Sequence, residues 1–178
     1  MAETLTISNF KFKFSGTLVN DDALAPANVP LELDVDIDIS NGAAADSVNK
    51  IYFKRLTLAA TTAANLDLAG TLTNPLGTAV VFSKVRAIVI FLNPGTNTGP
   101  LLVGGHATAA LSTMFTATPD LDTAQAKLRL RNGTDGGLMV LTAMDATALV
   151  VTATTEDMLT IYNEGSATAT YDILVLGE

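Results

Sequence analysis

The 178-residue chain has no cysteine and no tryptophan, a single histidine and three tyrosines. Without cysteine there is neither a disulfide framework nor thiolate chemistry. One histidine and no cysteine leave almost nothing for zinc, whose sites draw on several such ligands. So few Trp and Tyr provide little for a face that stacks sugars or bases. Basic residues are also scarce: ten Lys and Arg stand against eighteen Asp and Glu, a net charge of -8. An acidic surface repels phosphates, which argues against sequence-independent nucleic-acid binding. Long apolar runs are missing as well. The longest aliphatic stretch, Ala87 to Leu92, has strand length and falls far short of a membrane crossing. Met1-Ala2-Glu3-Thr4 carries no basic region followed by an apolar core, so no signal peptide is expected.

What the chain has is apolar bulk. Hydrophobic residues make up 48% and charged residues 16%, with a mean hydropathy of +0.37. That exceeds what a free monomer of this size needs, and predicts surface buried between subunits. The length suits one domain with an N-terminal extension.

The pattern along the chain is that of strands. Phe10, Phe12 and Phe14 alternate with Lys11 and Lys13, which predicts a half-buried strand with its lysines in water. Val19 to Pro30 reads as a loop. From Leu31 to Ser40, Leu31, Leu33, Val35, Ile37 and Ile39 face one way and Glu32, Asp34, Asp36 and Asp38 the other. Like charges in one row repel, so the acidic row needs water, a cation or a basic partner. Asn41 to Asp46 breaks the pattern. It divides an N-terminal arm, residues 1–45, which could reach a neighbouring subunit, from a main unit, residues 46–178.

In the main unit Lys50 to Ala60 is a strand and Asn74-Pro75-Leu76-Gly77 a four-residue turn. Ala79 to Asn93 is the longest strand candidate, apolar on both faces over Val85 to Leu92 apart from Arg86. Leu101 to Val103, Ala126 to Arg131 and Leu138 to Leu141 follow. The last stretch, Leu149 to Gly177, is predicted to organise the rest. Met158 to Asn163 and Thr168 to Gly177 read as a hairpin about Glu164-Gly165-Ser166. The closing run is too apolar for an open edge and belongs in the middle of a sheet. About ten short strands without a convincing helix predict an all-β protein: an antiparallel β-sandwich, jelly-roll-like, with long crossing connections.

Chemistry is hard to find. His106 has no nameable nucleophile beside it. Asp120, Asp122, Asn132, Thr134 and Asp135 could offer oxygens to calcium, but turn formation accounts for them better. Asp34, Asp36 and Asp38 stand ~6–7 Å apart along one strand face, too wide to converge on one ion. No catalytic residue, cofactor or metal is therefore assigned. The candidate contact residues are charged or aromatic rows: Lys127, Arg129 and Arg131, then Asp34, Asp36 and Asp38, then Phe10, Phe12 and Phe14. The basic stripe is either a solvated face or a partner for an acidic row, of a second copy or of another protein.

The order of Leu66 to Gly70, Asn74 to Gly77, Val81 to Ile88, Leu102 to Gly105, Gly136 to Leu138, Asp157 to Asn163 and Ala169 to Gly177 carries a further reading. From about Asp46 to Glu178 the chain resembles the small β-sandwich decoration, or cement, proteins on the heads of tailed bacteriophages. The resemblance implies a jelly-roll-like subunit, made in the host cytoplasm and bound to the major capsid protein on the virion exterior. It implies a homo-oligomer, a trimer rather than a dimer, with no nucleic-acid or membrane partner and no catalytic residues. Two other readings are a phage tail or baseplate component and a carbohydrate-binding or host-adhesion module. A cupin-type enzyme is disfavoured by the single histidine.

Overall fold

The computed structural model describes residues 9–20, 27–42, 44–45, 47–70, 72–95, 99–106, 108–111, 127–131 and 136–178. The protein is all-β, with fifteen strands among these residues. Five are two-residue pairings, so ten of four residues or more remain, as the sequence predicts.

The first two, β1 (Asn9–Asn20) and β2 (Ala27–Asp38), pair only with each other, as an antiparallel ribbon. The predicted loop from Val19 to Pro30 is therefore much shorter: pairing extends to Asn20 opposite Ala27. Two short strands follow, β3 (Ser40–Asn41) and β4 (Ser47–Val48), joined in parallel.

Eight strands build the main body. In chain order the first four are β5 (Lys50–Leu58), β6 (Ala63–Asp67), β9 (Lys84–Leu92) and β10 (Leu101–Gly105). The others are β11 (Lys127–Leu130), β12 (Gly137–Thr142), β14 (Met158–Asn163) and β15 (Ala169–Gly177). The small hairpin of β7 (Leu72–Thr73) and β8 (Ala79–Val80) lies between β6 and β9, and β13 (Leu149–Val150) extends the β9 edge. One sheet has the order β12-β9-β15-β5 and the other β11-β10-β14-β6, antiparallel throughout.

β15 lies between β9 and β5, so the apolar C-terminal run is central, as expected. The predicted hairpin is not formed. β14 belongs to one sheet and β15 to the other. Of the connections between successive main strands, only β10 to β11 stays within a sheet. The local turn signal at Glu164-Gly165-Ser166 is real, but it turns the chain across the sandwich instead of back along it.

The inner faces of the two sheets share one core. Tyr171, Ile173 and Val175 of β15 and Ile88, Ile90 and Leu92 of β9 meet Leu159 and Ile161 of β14 and Leu101 and Val103 of β10. Each fully buried Leu, Ile or Val contributes ~1.5–3 kcal/mol. The predicted continuous strand from Ala79 to Asn93 is interrupted at Val81-Phe82-Ser83, where Phe82 drops into this core. A bulge follows: Leu176 pairs with Ala87 but Gly177 with Val85, so one step on β15 spans two on β9. Val85 and Ile88, which simple alternation would send to opposite faces, both enter the core. A side chain at Gly177 would collide with the Lys84 carbonyl and stand 2.8 Å from Phe82 Cδ1, so the bulge requires glycine there. The turn at Asn74 to Gly77 is as predicted: the Gly77 amide donates to the Asn74 carbonyl at 2.9 Å, with Gly77 at φ +86°.

Candidate functional site

Among the described residues no enclosed constellation of reactive groups stands out, so the candidate site is a set of surfaces. The ribbon is the first. Its register alternates two kinds of pair. Lys11 faces Asp36, Lys13 faces Asp34 and Asn9 faces Asp38. Between them Phe10 faces Ile37, Phe12 faces Val35 and Phe14 faces Leu33. The side chains of the three phenylalanines lie outside the described residues.

The acidic row finds its basic partner inside its own ribbon. Lys11 Nζ lies 2.8 Å from Asp36 Oδ2, and Lys13 Nζ lies 2.5 Å from Glu32 Oε1 and 3.9 Å from Asp34 Oδ2. The hydrogen bond and charge of Asp36, with Asp34 and Asp38 nearby, raise the Lys11 ammonium above its usual range. Every group here is well exposed, so the pairs set register more than stability.

The apolar row of the ribbon has no comparable cover. Leu31 is 46% exposed and Leu33 52%, with Val35 and Ile37 half-buried. A lone two-stranded ribbon is marginal in water. Its apolar side calls for something to lie against.

The basic stripe sits on β11, at the edge of the four-stranded sheet. Leu130 is buried and anchors the strand, while Leu128 is exposed. Arg129 is exposed and donates to the Glu164 carboxylate of its own chain. Arg131 is exposed just past the strand, and the Lys127 side chain lies outside the described residues. Among the described residues no ion pair joins this stripe to the acidic row.

A third surface was not foreseen. On the outer face of the five-stranded sheet, register aligns Val140, Val89, Leu174 and Phe53 in a row across four strands. Beside it run Leu138 and Phe91, then Asp172 and Arg55. Phe53 is 50% and Leu138 52% exposed. The next row, with Ala87, Leu176 and Ile51, is closed over by Ile39, Val48 and Met144. Alternation within each strand marks these as outward positions, but only strand order shows that they line up.

Under that cover lies a buried ionic knot. Arg86, the exception in the apolar run, is fully buried and donates to the carbonyls of Asp145 and Ala44 and, at 3.4 Å, to Glu178 Oε1. Lys84 Nζ meets the same carboxylate oxygen at 2.8 Å. Its lone polarity in an apolar strand is a signal that it has a buried partner.

The candidate reactive residues are simply placed. His106 is half-buried, and its Nδ1 lies 3.4 Å from the Thr108 amide and hydroxyl. Asp157, which the sequence does not single out, is buried and accepts from the Thr154 amide at 2.5 Å. Asp120, Asp122, Asn132, Thr134 and Asp135 lie outside the described residues. Among the described residues no three His, Asp or Glu groups gather as a metal site requires, and no helix is long and apolar enough to cross a membrane. Comparison with protein-family models, with curated proteins and with solved structures finds no match to the chain.

Proposed function

We propose that the chain is a structural subunit of a tailed-bacteriophage particle, a decoration or cement protein. In this reading it binds the major capsid protein on the outside of the shell and stabilises it. The observation that carries the reading is the ribbon of β1 and β2, which pairs with neither main sheet and has Leu31 and Leu33 uncovered. A subunit made to be covered by other subunits has such a surface; a solitary enzyme or transport protein has little use for one. The strand order lends support by analogy of fold. Counting the eight main strands in sequence, the sheets run 6-3-8-1 and 5-4-7-2, which supports the jelly-roll reading. Viral capsid proteins use that fold, as do lectins and cupins, so the analogy narrows the class without choosing the activity.

The subunit works by attachment. Copies repeated over a symmetric shell turn individually weak contacts into a firm coat. Self-association, with a trimer favoured over a dimer, belongs to the same reading. Arg129 and Arg131 supply charge for an acidic neighbour, whether a second copy or the shell protein. The test is direct. Purified protein is mixed with undecorated heads of the phage whose genome encodes it, and the heads are sedimented. Saturable co-sedimentation with higher resistance of the heads to heat and low salt is expected. Heads that pellet without the protein, at unchanged heat resistance, would remove the proposal.

A further inference from the structure

We infer that the outer face of the five-stranded sheet is a docking surface for the β1–β2 ribbon of a second copy of this chain. Four observations meet here. Two apolar surfaces lie open on one chain, and neither covers the other: Leu31 and Leu33 on the ribbon are 46% and 52% exposed, Phe53 and Leu138 on the sheet 50% and 52%.

Their dimensions agree. The ribbon row Leu31, Leu33, Val35 and Ile37 extends ~20 Å at a rise of ~3.3 Å per residue. The sheet row Val140, Val89, Leu174 and Phe53 crosses four strands, ~14 Å between its outer backbones at a strand spacing of ~4.8 Å. A ribbon laid along that row crosses the strands beneath at close to a right angle, one of the two ways in which sheets stack.

The surface also continues an existing layer. Ile39 and Val48 already cover the adjacent row of Ala87, Leu176 and Ile51. An incoming ribbon extends that cover by one row, without opening a separate interface. The edge strand of that sheet, β5, carries Lys50 and Lys54, which discourage simple edge-to-edge strand pairing and leave the face as the contact.

Each copy gives a ribbon and receives one, so the assembly closes as a reciprocal two-fold dimer or a larger ring, or grows. The inference does not depend on the shell. A monomer that coats heads would uphold the preceding proposal and overturn this one.

The test uses the full chain and two variants at exposed positions, Leu33→Asp on the ribbon and Phe53→Asp on the sheet. Mass is measured by light scattering over a range of concentrations. The wild type is expected to associate, and each variant alone to weaken association roughly 10- to 100-fold with an unchanged far-ultraviolet spectrum. Mixing the two should restore a heterodimer, because each retains the surface that the other has lost. A second arm exploits the absence of cysteine. Leu33→Cys and Phe53→Cys should form a mixed disulfide with each other far faster than either forms one alone. Five outcomes overturn the inference. The wild type could be a monomer at high concentration. Leu33→Asp could disrupt assembly while Phe53→Asp leaves it intact, which would indicate ribbon against ribbon. Neither variant could change the mass, which would leave the face to the chain's own remaining residues. The mixture could fail to associate, or the cysteine pair to cross-link.

Discussion

Replacing Asn163 with alanine should be among the most damaging single polar substitutions in this protein. Asn163 closes β14 at the corner where the chain passes between sheets, and it is fully buried. Its amide nitrogen donates to the carbonyls of Leu58 and Ala59 at 3.1 Å and of Ala167 at 2.8 Å, and its Oδ1 accepts from the Gly165 amide at 2.9 Å. One side chain thus ties the β14–β15 turn to the β5–β6 corner. Alanine strands the Leu58 carbonyl and the Gly165 amide in the interior, while the Ala59 carbonyl, on an exposed residue, can turn to water. At ~1–3 kcal/mol for each stranded group the loss is about 2–6 kcal/mol, against a total of ~5–15 kcal/mol for a domain. Urea unfolding followed by circular dichroism reads this directly as a lower midpoint at unchanged slope. Asn163→Asp sharpens the test. Its carboxylate would face three carbonyl oxygens with nothing to donate, so its folded-state pKa is raised above the unfolded ~3.9. The added penalty grows as pH rises through and above that value and is relieved below it. The aspartate variant should therefore regain stability relative to alanine as pH falls from 7 toward 4. An alanine variant within about 0.5 kcal/mol of wild type, or an aspartate variant whose deficit ignores pH, would refute the role given to this corner.

Three further outcomes are expected. Gly177→Ala should cost about 3 kcal/mol or more, because a backbone carbonyl cannot yield to the new Cβ; Gly77→Ala, with nothing within 4 Å and only a positive φ to strain, should cost ~1 kcal/mol. Equal melting temperatures for the two would contradict the bulge geometry. The Asp172 carboxyl is held below its ordinary range first by its hydrogen bond from Arg55, against the opposing effect of burial, with smaller help from Asn93 and from the charge of Arg55. That stability is present above the unfolded value and disappears as pH falls through the lowered one, so Asp172→Asn should lower stability at neutral pH and flatten the acid limb of an unfolding profile, the difference from wild type vanishing at low pH. Removal of residues 1–38 should leave the sandwich folded, whereas removal of residues 1–49 also strips Ile39 and Val48 from Ala87 and Leu176, at about 3–6 kcal/mol; thermal melts of the two truncations would separate these cases.

Much of this protein could be read from its residues alone, because the deciding physics was local. Alternation in Phe10 to Phe14 and Leu31 to Ile39 reports which positions share a face, whatever lies opposite. The turn at Asn74 to Gly77 follows from residues within four positions. The apolarity of Ile173 to Leu176 alone requires a central place in a sheet. Lone Arg86 in an apolar strand and the paired acidic and lysine rows were visible as features, though their partners were not.

Tertiary structure decided what sequence distance conceals. Pairing of β15 with β5 and β9, instead of with its neighbour β14, depends on which distant edges offer hydrogen bonds and a matching apolar face, and no window of a few residues contains that choice. The same holds for the bulge at Arg86 and for the knot of Arg86, Lys84 and Glu178. It holds for the row of Val140, Val89, Leu174 and Phe53, which exists only once four strands from separate parts of the chain stand side by side in register.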